Sequence, residues 1–148
     1  MAGTAGVLKR YSLVLVAVTL LMAALWYALG RFFGIGAPLA QGLIAPMIAA
    51  LDAGQQHYRR YRARPTTSES WDHAVAFMVP NLILFALSGF IAIFSGVLLD
   101  LDGRSILILL VIAAIVLGLV FLANRFFFAF GAKSAFNTMK RKGRNARK

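Results

Sequence analysis

Four apolar stretches alternate with polar connections along this chain, at about 11–33, 35–53, 73–99 and 105–124. A helix needs about 20 apolar residues to cross a hydrocarbon core, and each stretch reaches or approaches that length. The pattern predicts an all-α membrane protein of four transmembrane helices, paired as two antiparallel hairpins. Residues 1–132 are expected to form the membrane domain and 133–148 a basic tail. Residues 1–10 read as a polar lead, and Trp26, Tyr27 and Arg31 mark the far end of the first helix. Gly34 and Gly36 make a short turn, and Pro38 suits the first turn of the next helix. Pro65 stops the polar connection that follows, because Arg64 before it is steered away from helical geometry. Thr66-Thr67-Ser68-Glu69 reads as a capping box opening the third helix. Asp100, Asp102 and Gly103 make the next turn, with Ser105 as the expected cap of the fourth helix. That helix ends near Asn124-Arg125, or continues through the phenylalanines at 126–128 and 130 to Gly131.

Charge gives the pattern a direction. Of the 16 lysines and arginines, only Arg31 and Arg104 fall on one side of this alternation; the rest, from Lys9 and Arg10 to the tail, fall on the other. The positive-inside rule makes the crowded side the cytoplasm, so both termini are expected inside. Lys9 and Arg10 before an apolar run resemble a secretory leader, but the run extends to Phe33 and more apolar stretches follow, so a retained span is expected. A net charge of +11 would suggest nucleic acid on a soluble chain. Beside membrane spans it orients the protein and attracts anionic headgroups instead, and no nucleic-acid partner is expected. With 60% hydrophobic residues and no cysteine, thiol catalysis, disulfides and cysteine-held metals are excluded.

The four stretches are not alike. The second is rich in Ala and Gly and contains Gln41 and Pro46. Ala45, Ala49 and Ala53 recur every four residues and form one smooth face, which favours close helix packing over lipid contact. This helix is expected to be the most surrounded by protein, and Pro46 to loosen it. Ser88, Ala92 and Gly96 make a second small-residue stripe on the third helix.

Candidate chemistry is sparse. Asp52 lies near a helix C-terminus, where a carboxylate opposes the dipole, so Arg59 or Arg60 is expected to compensate it. Asn81 beside Pro80, and Gln41, are the polar groups closest to the membrane interior, and their expected role is packing and hydrogen bonding. If Gln41, Asp52 and Asn81 converged they would form a transport path. His57 reads as a solvated interface residue, and its spacing from His73 fits no metal motif. No nucleophile motif or phosphate loop is present, so no enzyme activity, cofactor or metal is expected. Arg59, Arg60, Arg62 and Arg64, interleaved with Tyr58 and Tyr61, are the expected contact for anionic lipid or a partner, since Arg grips phosphate in a fork and Tyr suits headgroup level.

Ala53-Gly54-Gln55, a basic stretch, and then Arg64-Pro65-Thr66-Thr67-Ser68-Glu69 resemble a family of small uncharacterised bacterial four-span inner-membrane proteins. The specific likeness covers residues 53–69. It implies a bacterial inner-membrane location and the same four-span layout, and carries no chemistry. Small multidrug exporters differ, because residues 11–33 contain no acid; fluoride channels differ, because only Pro80-Asn81 and Phe85 echo their pore.

The reading reached from sequence is a non-enzymatic membrane interaction or accessory protein that packs with a larger membrane complex or with itself. A small dimeric transporter or channel is the alternative, and an immunity-type membrane protein a third.

Overall fold

A computed structural model describes residues 2–36, 41–96 and 101–145. Pro38 and Asp100, both expected in turns, lie outside the described residues. The chain forms four helices: α1 (Ala2–Phe33), α2 (Gln41–Tyr61), α3 (Thr67–Phe94) and α4 (Gly103–Asn145). Three of them, α1, α3 and α4, are long and apolar enough to cross a membrane. The fourth, α2, is not. The apolar stretch expected at 35–53 begins before the helix does, and the helix itself runs on through Gln55, Gln56, His57, Arg59 and Arg60.

Helix ends follow local chemistry. Gly34 adopts φ 66°, and its N–H bonds the Gly30 carbonyl at 3.2 Å, which ends α1 in the left-handed conformation glycine tolerates. The capping box at α3 forms as the sequence predicts. Glu69 N–H donates to Thr66 Oγ1 at 3.2 Å, and Thr66 N–H donates to a Glu69 carboxylate oxygen at 2.7 Å. The cap of α4 is Asp102, not Ser105: the Ser105 N–H donates to Asp102 Oδ1 at 3.1 Å. Hydrogen bonding from the Ser105 side chain, and then from this N–H, holds the exposed Asp102 carboxyl below its usual range.

Two elements are longer than the hydrophobic pattern implied. Residues 2–10 are part of α1, not a polar lead. α4 continues unbroken past Gly131 and Lys133, so the basic segment expected from 133 begins within a helix. At 1.5 Å per residue its 43 residues extend about 65 Å, roughly twice a hydrocarbon core. Polar side chains do not end a helix; they only change what it faces.

The helices form a ring in the order α1, α2, α4, α3. Packing is concentrated at one end. Val7, Tyr11 and Leu15 of α1 meet Ala45, Ala49, Ala50 and Ala53 of α2, with Phe77 of α3 and Phe128 of α4 completing the cluster. Beyond it, α4 continues as Tyr58 of α2 packs on Ala132 and Ala135. At the opposite end the helices separate: Leu107, Leu110 and Ile115 of α4 and Phe90 and Phe94 of α3 are exposed. For helices of this composition, such surface suits lipid tails.

The α2–α4 contact depends on two glycines. A Cβ placed on Gly54 would collide with the Phe128 carbonyl, and one on Gly131 with the Leu51 carbonyl. Only hydrogen side chains let the two backbones approach this closely. With its Ala face buried and α1 and α4 on either side, α2 is the most enclosed helix of the fold.

Candidate functional site

The closely packed end carries two features: a buried polar chain at its centre and a basic surface around it. Tyr11 is fully buried, its ring stacked on Phe77 with centroids 4.0 Å apart and planes 3° from parallel. Its hydroxyl donates to Asn124 Oδ1 at 2.9 Å and accepts from Asn81 Nδ2 at 2.7 Å. Asn81 Nδ2 also donates to the Phe77 carbonyl one turn back, at 2.7 Å. Three helices are thereby joined by one hydroxyl, because a phenol both donates and accepts. Asn124 Nδ2 remains buried without a partner among the described residues.

Next to this chain, toward the basic end, lie two imidazoles. The rings of His57 and His73 sit 5.5 Å apart, edge to face, and both contact Phe128. His57 is 6% exposed, which corrects the expectation of a solvated residue. Burial pushes its pKa below the ordinary 6.5, against a smaller pull upward from Glu69. Nδ1 of each ring is buried without a hydrogen-bond partner among the described residues. No group of three or more potential ligands is gathered to hold a metal there, again among the described residues.

The basic surface surrounds this core. Arg59, Arg60, Arg62 and Arg64 are exposed, as are Lys133, Lys140 and Arg141 on α4. Several are oriented by aromatic or sulfur neighbours. The Arg64 guanidinium lies 4.0 Å from the Phe136 ring centroid, and Arg125 lies 4.0 Å from that of Trp71. Arg62 Nη1 donates to Met139 Sδ at 2.8 Å. Arg62 itself has φ 55°, an uncommon left-handed conformation for a residue with a side chain, and it turns the chain out of α2. The two tyrosines of this segment divide. Tyr61 is exposed, while Tyr58 is only 8% exposed and meets Phe136 edge to face. Tyr58 is therefore part of the core, packed on Ala132 and Ala135, whereas Tyr61, one turn on, is the last residue of α2.

Asp52 pairs with Arg10, Nε to Oδ2 at 2.6 Å, and not with Arg59 or Arg60. Those arginines lie beyond it on the same helix, whereas α1 runs alongside and brings Arg10 across. Asp52 therefore does not converge with Gln41 and Asn81.

Gln41 and Asn81 do line one cleft, of about 480 Å³, in the separated half of the bundle. The small-residue faces also behave differently. Ala45, Ala49 and Ala53 are buried within the fold. Ser88 is exposed, its hydroxyl bonded back to Leu84 O at 2.8 Å, and a Cβ on Gly96 would meet nothing within 4 Å. Among the described residues, neither Ser88 nor Gly96 is buried against another helix.

The Tyr11–Asn124 bond and the Gly54–Gly131 crossing carry weak sequence signals. A tyrosine at a span boundary reads as an interface anchor, and a late glycine reads as a helix end. An Asn within an apolar helix, as at 124, was the one available hint. Known protein families, curated proteins and solved structures provide no match to this chain.

Proposed function

We propose that this is a non-enzymatic membrane interaction protein, an accessory subunit that packs with a larger membrane complex or with a second copy of itself. One observation carries the reading. The glycine crossing joins α2, which carries Arg59 and Arg60, to α4, which carries Lys133, Lys140 and Arg141, and Arg62 and Arg64 just past α2 rest on Met139 and Phe136 of α4, with all seven cations exposed. Such a surface suits anionic headgroups or an acidic face of a partner.

Four membrane crossings with both termini cytoplasmic, in a bacterial inner membrane, complete the proposal. In its favour, α2 lies antiparallel along α1. Asp52 meets Arg10 at one end, and Gln41 lines the same cleft as Trp26 at the other. Sixteen positions of α1, Arg10 to Trp26, and eleven of α2, Gln41 to Asp52, separate those levels, so α2 recrosses much of the depth that α1 crosses. Fluorescent-protein fusions at either terminus should both fluoresce in a bacterial host; one dark fusion would put the termini on opposite sides and overturn four crossings, and two dark fusions would reverse the orientation.

The experiment for the main reading is recovery of the tagged full chain in mild detergent with mass spectrometry. The expected result is a stoichiometric membrane partner or a homo-oligomer, with recovery weakened by reversing Arg59, Arg60, Arg62 and Arg64 to Glu. Unchanged recovery removes the basic surface as the docking site. A second reading, a small dimeric transporter, is favoured by Gln41 and Asn81 sharing a cleft. Liposome flux that is lost on Asn81→Ala would support it.

A further inference from the structure

The cleft in the separated half of the bundle has features that the interaction reading leaves unused. Its volume of about 480 Å³ falls within the range of about 300–1,000 Å³ usual for small-molecule sites. Its walls are mainly apolar and come from all four helices, and no charged side chain is among its lining residues. Along α1 it runs from Leu15 to Trp26, roughly 16 Å at 1.5 Å per residue.

Asn81 and Ser88 of its lining are already hydrogen-bonded within the fold, and its unpaired polar groups gather at one end. Trp26 closes the cleft on α1, and Gln41 and Gly42 begin α2 at the same level. Trp26 Nε1 is a buried donor and Gln41 Oε1 a buried acceptor, and neither has a partner among the described residues. Pro46, another lining residue, has no N–H to offer the Gly42 carbonyl one turn back. One free donor thus stands with two acceptors that lack their usual partners, in apolar surroundings where an unpaired polar group is unfavourable.

We propose that the cleft binds a neutral membrane lipid with a hydroxyl head and a single hydrocarbon tail, of the monoacylglycerol type. A hydroxyl is the smallest group that accepts from an indole N–H and donates to an amide or backbone oxygen at once. An ester or ether can only accept, and a phosphate or carboxylate would find no cation. A methylene is close in size to a water, which takes about 30 Å³, so the volume holds roughly 16 such groups: one tail, not two. The site lies away from the basic surface, so it stands or falls independently of the interaction reading.

The chain has two tryptophans, so Trp71→Phe leaves Trp26 as the sole reporter. Phenylalanine retains a ring beneath Arg125. The full-length variant in nanodiscs is titrated with a monoacylglycerol brominated on its tail and, separately, with the matching brominated methyl ester. Trp26 fluorescence should be quenched saturably by the monoacylglycerol, with half-saturation about tenfold lower than for the ester, the equivalent of about 1.4 kcal/mol. Gln41→Leu should abolish that preference. This substitution removes an unpaired acceptor, so unchanged helical content and an unchanged or higher melting temperature without ligand are expected, separating loss of binding from loss of fold. Quenching that rises linearly with either probe, or that saturates equally with both, overturns the proposal. So does a preference that survives Gln41→Leu.

Discussion

Gly54 of α2 and Gly131 of α4 face one another's backbones, each occupying a position where a single added carbon would strike a carbonyl of the opposite helix. Neither carbonyl is the end of a flexible side chain, so the contact can be relieved only by moving a helix. Replacing Gly by Ala inside a helix ordinarily stabilises by about 1 kcal/mol, through backbone entropy. Overpacking typically destabilises by about 1–3 kcal/mol, and the upper part of that range applies where backbone must give. The second effect should win at both sites. Gly54→Ala and Gly131→Ala are each expected to lower the melting temperature in detergent. Gly118→Ala, where a Cβ meets nothing within 4 Å, should leave it unchanged or raise it. Equal behaviour of the three variants would show that the crossing does not organise the fold.

The hydroxyl of Tyr11 joins Asn81 and Asn124, and among the described residues no other group does. Tyr11→Phe keeps the stack on Phe77 but leaves two amides short of a partner. The soluble-protein figure for one orphaned buried group is about 1–3 kcal/mol, and hydrogen bonds between membrane helices average nearer 0.6 kcal/mol. A loss of about 1–2 kcal/mol is therefore expected for Tyr11→Phe. Adding Asn124→Leu to Tyr11→Phe should then destabilise by less than the two single changes summed, because one interaction is being removed twice. Additive losses in this cycle, measured by thermal unfolding in detergent, would mean that the three side chains are not coupled.

These two contacts also mark the limit of what the sequence made legible. The capping box at Thr66 and Glu69 and the Ala45–Ala49–Ala53 face were readable because their partners lie within one helical turn, or their periodicity defines a face without naming what covers it. Tyr11 and Asn124 are separated by 113 positions, and nothing local to either residue specifies the other. Arg10 was hidden for a related reason. Assigning residues 1–10 to a polar lead took Arg10 off the helix, leaving Arg59 and Arg60 as the obvious partners of Asp52. Hydropathy also ended α2 too early, at 53, because the polar residues from Gln55 to Arg60 continue the same helix. The cleft had no sequence signature: Trp26 read as an interface anchor and Gln41 as packing glue until both were found at one end of a common space.

Asp52→Asn is expected to be nearly silent. Its carboxylate is bonded by Arg10, yet the side chains are 29% and 46% exposed. Pairs in such surroundings contribute about 0–1 kcal/mol, because solvent screens the attraction and ordering two side chains opposes it. Thermal unfolding should shift by no more than that range, and less at high salt. A loss of several kcal/mol would place the pair in a far drier environment, and would restore Asp52 as a candidate for proton or cation contact.

Acidification should destabilise the protein through His57. Its imidazole is held below the ordinary value of 6.5 by burial. As pH falls through 6.5, the unfolded chain takes up a proton at this residue while the folded chain does not, and linkage then favours unfolding. The stability associated with the neutral ring is fully present above 6.5 and declines below it, until the folded-state pKa is reached. Glu69 opposes the shift, and the His73 and Tyr61 rings are the other titratable groups facing His57. Melting temperatures in detergent at pH 8, 6.5 and 5 should show a fall confined to the lower interval. His57→Gln, which removes the titrating group, should shrink that fall while leaving the value at pH 8 lower for lost contact with Phe128. The same fall in both proteins would assign the acid sensitivity to His73 or to the carboxylates instead.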